Sequence, residues 1–192
     1  MINPSKILYT LPVQLNCLEE LKTIGYNAWD KQFNPWYQLV DEIYLNSVSA
    51  VLIPELKLRW NIECEVNRAF LFRATQGWKM RMHVDGYMKK SIQLTSLNIP
   101  ILNGGSGITR WYDGNYTLAP AGGTDMSKEM ITWNTPPTLV HEHRLDSATF
   151  LRVNQPHDMV MAEPVNRVIM AIRTTPDWPP LEELKEKIFD GL

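Results

Sequence analysis

Apolar residues fall along this chain with two different spacings, and the spacing changes near position 69. In "FNPWYQLVDEIYLNSV" the residues Trp36, Leu39, Val40, Ile43 and Tyr44 recur at helical spacing, the stripe of a helix lying on a core. Asn34 stands as its N-cap and Pro35 at the first helical position, where a missing N–H costs nothing. "CLEELKTI" (17–24) predicts a shorter helix. At the far end "PPLEELKEKIFDGL" opens on prolines, carries acids early and lysines late, and meets Gly191. That order suits a helix dipole and predicts a helix over 179–190.

Between about 69 and 175 the apolar runs are short and rich in β-branched and aromatic residues. "AFLFRAT", "SIQLTSLNIPIL", "ITRWYD", "ATFLRVN" and "RVIMAIRT" read as strands, separated by turn chemistry such as Asn103-Gly104-Gly105 and Ala121-Gly122-Gly123. Five such segments without regular intervening helices predict an antiparallel sandwich or barrel, not a βαβ sheet. The expectation is one domain over 1–192: a helical N-terminal part (1–68), a β core (about 69–175) and a C-terminal helix (179–190).

Composition changes this picture little. A chain of 192 residues with 44% hydrophobic residues can bury one substantial core and is too short for two full domains. Seven Trp and thirteen Pro suit a loop-rich β protein with aromatic walls. A net charge of -2, with both signs scattered, gives no broad electrostatic reason to expect nucleic acid or an anionic membrane as partner. The cysteines, Cys17 and Cys64, form no framework and no CxxC. The start "MINPSKILYTLPVQ" lacks a signal-peptide pattern and no run reaches membrane-spanning length, so the expectation is a soluble cytoplasmic protein with reduced thiols. Nothing bears on oligomeric state.

Candidate chemistry sits in "WKMRMHVDGYMKK", where His83 and Asp85 are two apart before a glycine. On a strand, i and i+2 share a face. Two His and one carboxylate on one face of an octahedron are a common ferrous site with open positions for oxygen chemistry. Only His141, His143 and His157 are left to complete it. "FLRVNQPHDM" places His157 just after a strand, and ten residues on Arg167 opens the strand "RVIMAIR". The blander alternatives are a surface His with a turn Asp, a loop-capping His157, and a structural ion pair of Arg167 with Glu163 or Asp158. "LVHEHRLD" offers a rival: His141 and His143 share a strand face, and with Asp146 and His157 they can pose as a cupin metal site. Otherwise they line a pocket mouth or are exposed. Trp78, Trp111, Tyr112 and Trp133 read as core or wall. Lys79, Arg81, Lys89 and Lys90 read as a solvated face, or else as contacts to an anionic peptide or nucleic acid.

The ordered set His83-x-Asp85, His157 and Arg167 within a β region resembles the 2-oxoglutarate- and Fe(II)-dependent oxygenases. "SLNIPI" and "TRWYD" look most like the branch of aspartyl/asparaginyl β-hydroxylase-like and prolyl-hydroxylase-like proteins. The resemblance covers roughly 69–175 and implies a double-stranded β-helix (jelly roll, cupin-like) with flanking helices. It further implies Fe(II) held by His83, Asp85 and His157, 2-oxoglutarate as cosubstrate with its far carboxylate on Arg167, and O2 as oxidant. The implied product set is succinate, CO2 and a hydroxylated peptidyl or small-molecule substrate. Where relatives carry extra basic or imidazole groups after the first His, this chain has "KKSIQLTSLN". Among Ser91, Gln93, Thr95 and Asn98, the first candidate for a 2-oxoglutarate contact is Asn98. The chain departs from β-hydroxylase-like relatives that lack the Asp of the HxD. Two other readings stand beside this one: a nucleobase-oxidising member of the same superfamily, and a non-catalytic cupin-like binding protein.

Overall fold

A computed structural model describes residues 10–29, 37–85, 95–120 and 128–190. The elements run in the order β1 (Thr10–Pro12), α1 (Leu18–Ala28), β2 (Tyr37–Leu39), α2 (Glu42–Trp60), β3 (Glu65–Ala74), β4 (Lys79–Asp85) and β5 (Thr95–Leu102). After a 3-10 turn (Gly104–Ser106) come β6 (Gly107–Asp113), β7 (Tyr116–Pro120), β8 (Lys128–Trp133), β9 (Thr138–Arg144), β10 (Thr149–Arg152), β11 (His157–Met161), β12 (Arg167–Thr175) and α3 (Leu181–Asp190).

The strands form two six-stranded antiparallel sheets, ordered β1-β10-β5-β12-β3-β2 and β7-β8-β4-β11-β6-β9. Alternation along the first sheet decides what each face meets. On β12, Val168, Met170 and Ile172 join Leu97, Ile99, Ala69 and Leu71 in a large core shared with Leu21, Val48, Leu52, Leu56 and Leu184 of the three helices. The intervening residues Arg167, Ile169, Ala171 and Arg173 turn to the other face and line the space between the sheets. A smaller apolar cluster there, Trp111, Leu145, Leu151, Val153 and Ile169, joins the two layers. Trp111 adds a cross-sheet hydrogen bond, its indole N–H donating to the Arg152 carbonyl at 2.8 Å. This is the mainly β, jelly-roll architecture expected of the sequence, with helices packed outside one sheet.

The N-terminal part differs from the expectation of an all-helical 1–68. Residues 37–39 form a strand, with Leu39 opposite Phe70 and Gln38 opposite Leu71 on β3. The helix begins only at Glu42, with Asp41 at the N-cap position but making no side-chain capping bond, and runs through Pro54 to Trp60. The predicted cap and first turn, Asn34 to Trp36, lie outside the described residues. The stripe beginning at Trp36 therefore spans two elements. Leu39 completes a sheet edge and is half exposed, and Ile43 faces solvent. β1 and the start of β3 also fall inside the part expected to be helical. The predicted helices over 17–24 and 179–190 are present as α1 and α3, the latter starting after Pro180. Asn103 adopts a left-handed conformation at the predicted turn, while the 121–123 turn lies outside the described residues.

Candidate metal centre

β4 and β11 are antiparallel neighbours, and His83 stands directly opposite His157. Their rings are 4.4 Å apart, both buried. Asp85, two positions along β4, falls on the same side by strand alternation. One ligand-capable atom from each of His83, Asp85 and His157 lies within 4.8 Å of the others. It is the cluster of three or more His, Cys, Asp or Glu side chains with this geometry among the described residues.

The hydrogen bonds around the cluster orient it. His83 Nδ1 is 2.7 Å from the Arg81 carbonyl, and His157 Nδ1 is 2.8 Å from the Gln155 carbonyl. A carbonyl only accepts, so Nδ1 carries the proton in each ring and Nε2 keeps its lone pair. This is the outer bonding that fixes metal-binding imidazoles. His83 Nε2 lies 3.2 Å from Asp85 Oδ1, and that oxygen is buried with no hydrogen-bond partner. Two electron-pair donors facing one another in a dry site call for a cation between them, so the donor set fits a divalent ion. Burial alone raises the Asp85 pKa. When the imidazoles are protonated in place of a metal, contact with His83 and the charges of His83, His157 and Arg173 outweigh it and hold Asp85 well below the usual carboxylate range.

The cluster opens on a cavity of about 650 Å³, its mouth included, lined also by Phe72, Trp78, Met80, Asn98, Leu151, Val153, Met159 and Arg167. Arg167 is buried, and its Nε donates to the Gly104 carbonyl at 2.9 Å. Burial pushes its pKa down to about 10, still charged at neutral pH. A Cβ on Gly107 would come within 2.9 Å of Arg167 Cδ and Nε, so β6 must begin on glycine for this side chain to lie where it does. The ion pairs weighed for Arg167 go elsewhere: Asp158 binds Arg110 through two bonds of 2.8 and 2.6 Å, and Glu163 meets Arg144 at 3.2 Å. Among the described residues Arg167 forms no ion pair. A buried guanidinium that faces a cavity with no carboxylate paired to it has the chemistry to meet an anion.

The remaining candidates sort by strand face. Asn98, opposite Ala171, lines the cavity and turns its amide N–H groups to the Ser96 carbonyl and hydroxyl, at 3.2 and 3.0 Å. Ser91 and Gln93 lie outside the described residues. His141 and His143 stand apart from the cluster on edge strand β9, stacked 6.5 Å from each other. Cross-strand pairing puts His83, His157, Trp111 and His141 in one row, and Trp111 separates His141 from the cluster with ring distances of 5.6 and 6.5 Å. Asp146 is exposed. The four-residue cupin arrangement is therefore not assembled. Lys79 and Arg81 are solvent-exposed, and Lys89 and Lys90 lie outside the described residues. Trp133 donates its indole N–H towards Met82 Sδ at 3.0 Å, and Tyr112 sits with Arg110 and Asp158. Sequence reasoning missed Arg173, six positions after Arg167 on the same face. Its terminal nitrogen lies 3.3 Å from Asp85 Oδ2. The even spacing of two arginines in an otherwise apolar strand was the available signal.

No family model matches the sequence, and no curated protein does. Solved structures do match in shape. The non-heme α-ketoglutarate-dependent carbocyclase SnoK from nogalamycin biosynthesis aligns over 95% of this chain and 89% of its own, with a TM-score of 0.53 and 10% identity. The chain has the fold of the 2-oxoglutarate-dependent oxygenases. The epimerase SnoN, solved with Fe3+, α-ketoglutarate and a nogalamycin compound, aligns over 85% of this chain and 77% of its own, with a TM-score of 0.50 and 8% identity. Within this oxygenase fold the cluster and Arg167 face one cavity between the sheets. No helix among the described residues is long and apolar enough to cross a membrane.

Proposed function

We propose that this chain is a 2-oxoglutarate- and Fe(II)-dependent oxygenase that hydroxylates a C–H bond of a small-molecule or peptidyl substrate. The observation that carries this reading is one cavity holding both a convergent His83–Asp85–His157 cluster and the unpaired, buried guanidinium of Arg167. His83 and His157 offer Nε2, and Asp85 offers Oδ1. Arg167 pairs with the far carboxylate of 2-oxoglutarate, its planar fork matching the two oxygens. Asn98 is the second polar side chain proposed to border the cosubstrate. The bound iron, with 2-oxoglutarate and O2, supplies the oxidising equivalents. One oxygen atom enters the substrate C–H and the other enters succinate, with CO2 released. The protein holds the reacting carbon near the ion, and Leu145, Leu151, Val153 and Ile169 keep water from it.

Anaerobic addition of Fe(II) and 2-oxoglutarate is expected to give a weak visible metal-to-ligand absorption band, and oxygen then yields succinate. Folded protein giving neither band nor succinate overturns the proposal. A metabolite, peptide and nucleoside panel searched for +16 Da products absent from His83→Ala identifies the substrate. A nucleoside product would move the reading to nucleobase oxidation.

A further inference from the structure

Arg173 is a partly buried cation of the cavity to which the proposed chemistry gives no task. It lies on the face of β12 that carries Arg167, and six residues of strand put their Cα atoms about 20 Å apart. The two guanidinium groups therefore serve different parts of the cavity. Arg173 is held at the cluster end by one 3.3 Å contact from its NH2 to Asp85 Oδ2. Its other terminal nitrogen, NH1, is buried and has no hydrogen-bond partner among the described residues. Asp85 is its one ion-pair partner among the described residues.

Charge makes that vacancy informative. Arg73, Arg167 and Arg173 line the cavity with three positive charges against the single negative charge of Asp85. A divalent ion adds two, and doubly charged 2-oxoglutarate removes two. The loaded cavity retains two uncompensated positive charges on the described lining side chains. Asp85 can no longer neutralise Arg173 in full once it is bound to a cation. A buried charge of this kind is costly until an anion meets it.

Building on the oxygenase reading, we propose that Arg173 docks a carboxylate of the substrate, so that the substrate is a small organic acid oxidised a few bonds from its carboxyl group. The contact with Asp85 leaves NH1 to bond an incoming oxygen. It also places the substrate's carboxylate beside the metal cluster, which fixes which carbon faces the ion. Arg167 is engaged at the same time by the cosubstrate, so the two acids do not compete.

The test uses the full chain loaded with redox-inactive Zn(II) and saturating 2-oxoglutarate. Saturation-transfer NMR and calorimetry compare 3-phenylpropionate, hexanoate and a set of further small acids with the primary amide of each. Acids are expected to bind at least tenfold more tightly than their amides. Arg173→Gln, which keeps an N–H for Asp85 but no charge, brings the two within about twofold, while Arg173→Lys retains the preference. Wild-type protein that holds no acid more tightly than its amide overturns the proposal whatever the variants do. So does a preference that survives in Arg173→Gln. Protein that takes up neither zinc nor 2-oxoglutarate sinks the oxygenase reading itself, a distinguishable result.

Discussion

A single missing Cβ sets the position of the buried arginine. Gly107 lies against the Arg167 side chain so closely that alanine there must displace it. Gly107→Ala is expected to weaken 2-oxoglutarate binding about tenfold or more while metal affinity stays within about twofold, because the cluster belongs to β4 and β11. Calorimetry with Zn(II) and then 2-oxoglutarate reads both numbers, and an unchanged cosubstrate affinity refutes the role given to Arg167. Removing the guanidinium outright in Arg167→Met costs more, roughly 2–5 kcal/mol, as for other buried charged pairs left unmatched. At this scale the site was legible: His83, Asp85, His157 and Arg167 are chemically unusual residues for apolar strands, and each lines the cavity. Arg173 was legible only in part, since the spacing shows its face but not that Asp85 meets it from the other sheet. Gly107 was not legible, because close approach of a distant side chain leaves no mark on local pattern.

Elements depend on one another in ways that periodicity cannot show, and the N-terminal helices are the clearest case. Glu55, in the middle of α2, accepts hydrogen bonds from the backbone N–H groups of Asn16 and Cys17 at 2.6 and 2.9 Å. It thereby caps the start of α1, where Cys17 provides no side-chain cap of its own. Arg59 completes the arrangement at 2.8 Å. Burial by itself raises the Glu55 pKa, but these donors outweigh it and bring the pKa below its usual value near 4.5. A carboxylate depressed on folding stabilises above its unfolded pKa, and the contribution fades as pH falls towards the folded one. Glu55→Ala should therefore cost about 2 kcal/mol at neutral pH. The gap from wild type stays level above pH 4.5 or so and narrows below it, as urea midpoints across pH will show. A gap independent of pH would mean Glu55 acts by packing alone. The misplaced helix start has a related cause. Leu39 carries helical spacing by coincidence, and pairing of residues 37–39 with β3 overrides it. α2 was found where its apolar residues face the sheet, and it runs on past Val48, the last residue of the stretch read as helical, to Trp60.

Taken whole, the molecule keeps its chemistry between the sheets and most of its stabilising apolar contacts on the far side of one of them. The large core joins helices to the β1–β2 sheet, whereas the inter-sheet space holds few apolar residues besides the cavity. That division makes the second sheet the less secure layer. It faces the first across a cavity lined by arginines and an aspartate, while the helices α1, α2 and α3 make their main sheet contacts with strands of the first sheet. Ligands that neutralise these charges should therefore tighten the sandwich as a unit. Binding at one hundred times its dissociation constant adds about 2.7 kcal/mol. For a chain of this size that corresponds to roughly 5–10 °C in melting temperature. Zn(II) with 2-oxoglutarate is expected to give a shift of that size or larger, and 2-oxoglutarate without metal a much smaller one, since Arg167 alone then holds it. His83→Ala should abolish the metal-dependent part while its unliganded melting point stays close to wild type, because the His83 ring contributes to the cluster and not to the helix-backed core. Equal shifts from 2-oxoglutarate with and without metal would break the link between the two halves of the cavity. Hydrogen exchange adds the spatial test: ligand protection concentrated on β4, β6 and β11, with β3 and β12 already protected in its absence, is the pattern this division of stability requires.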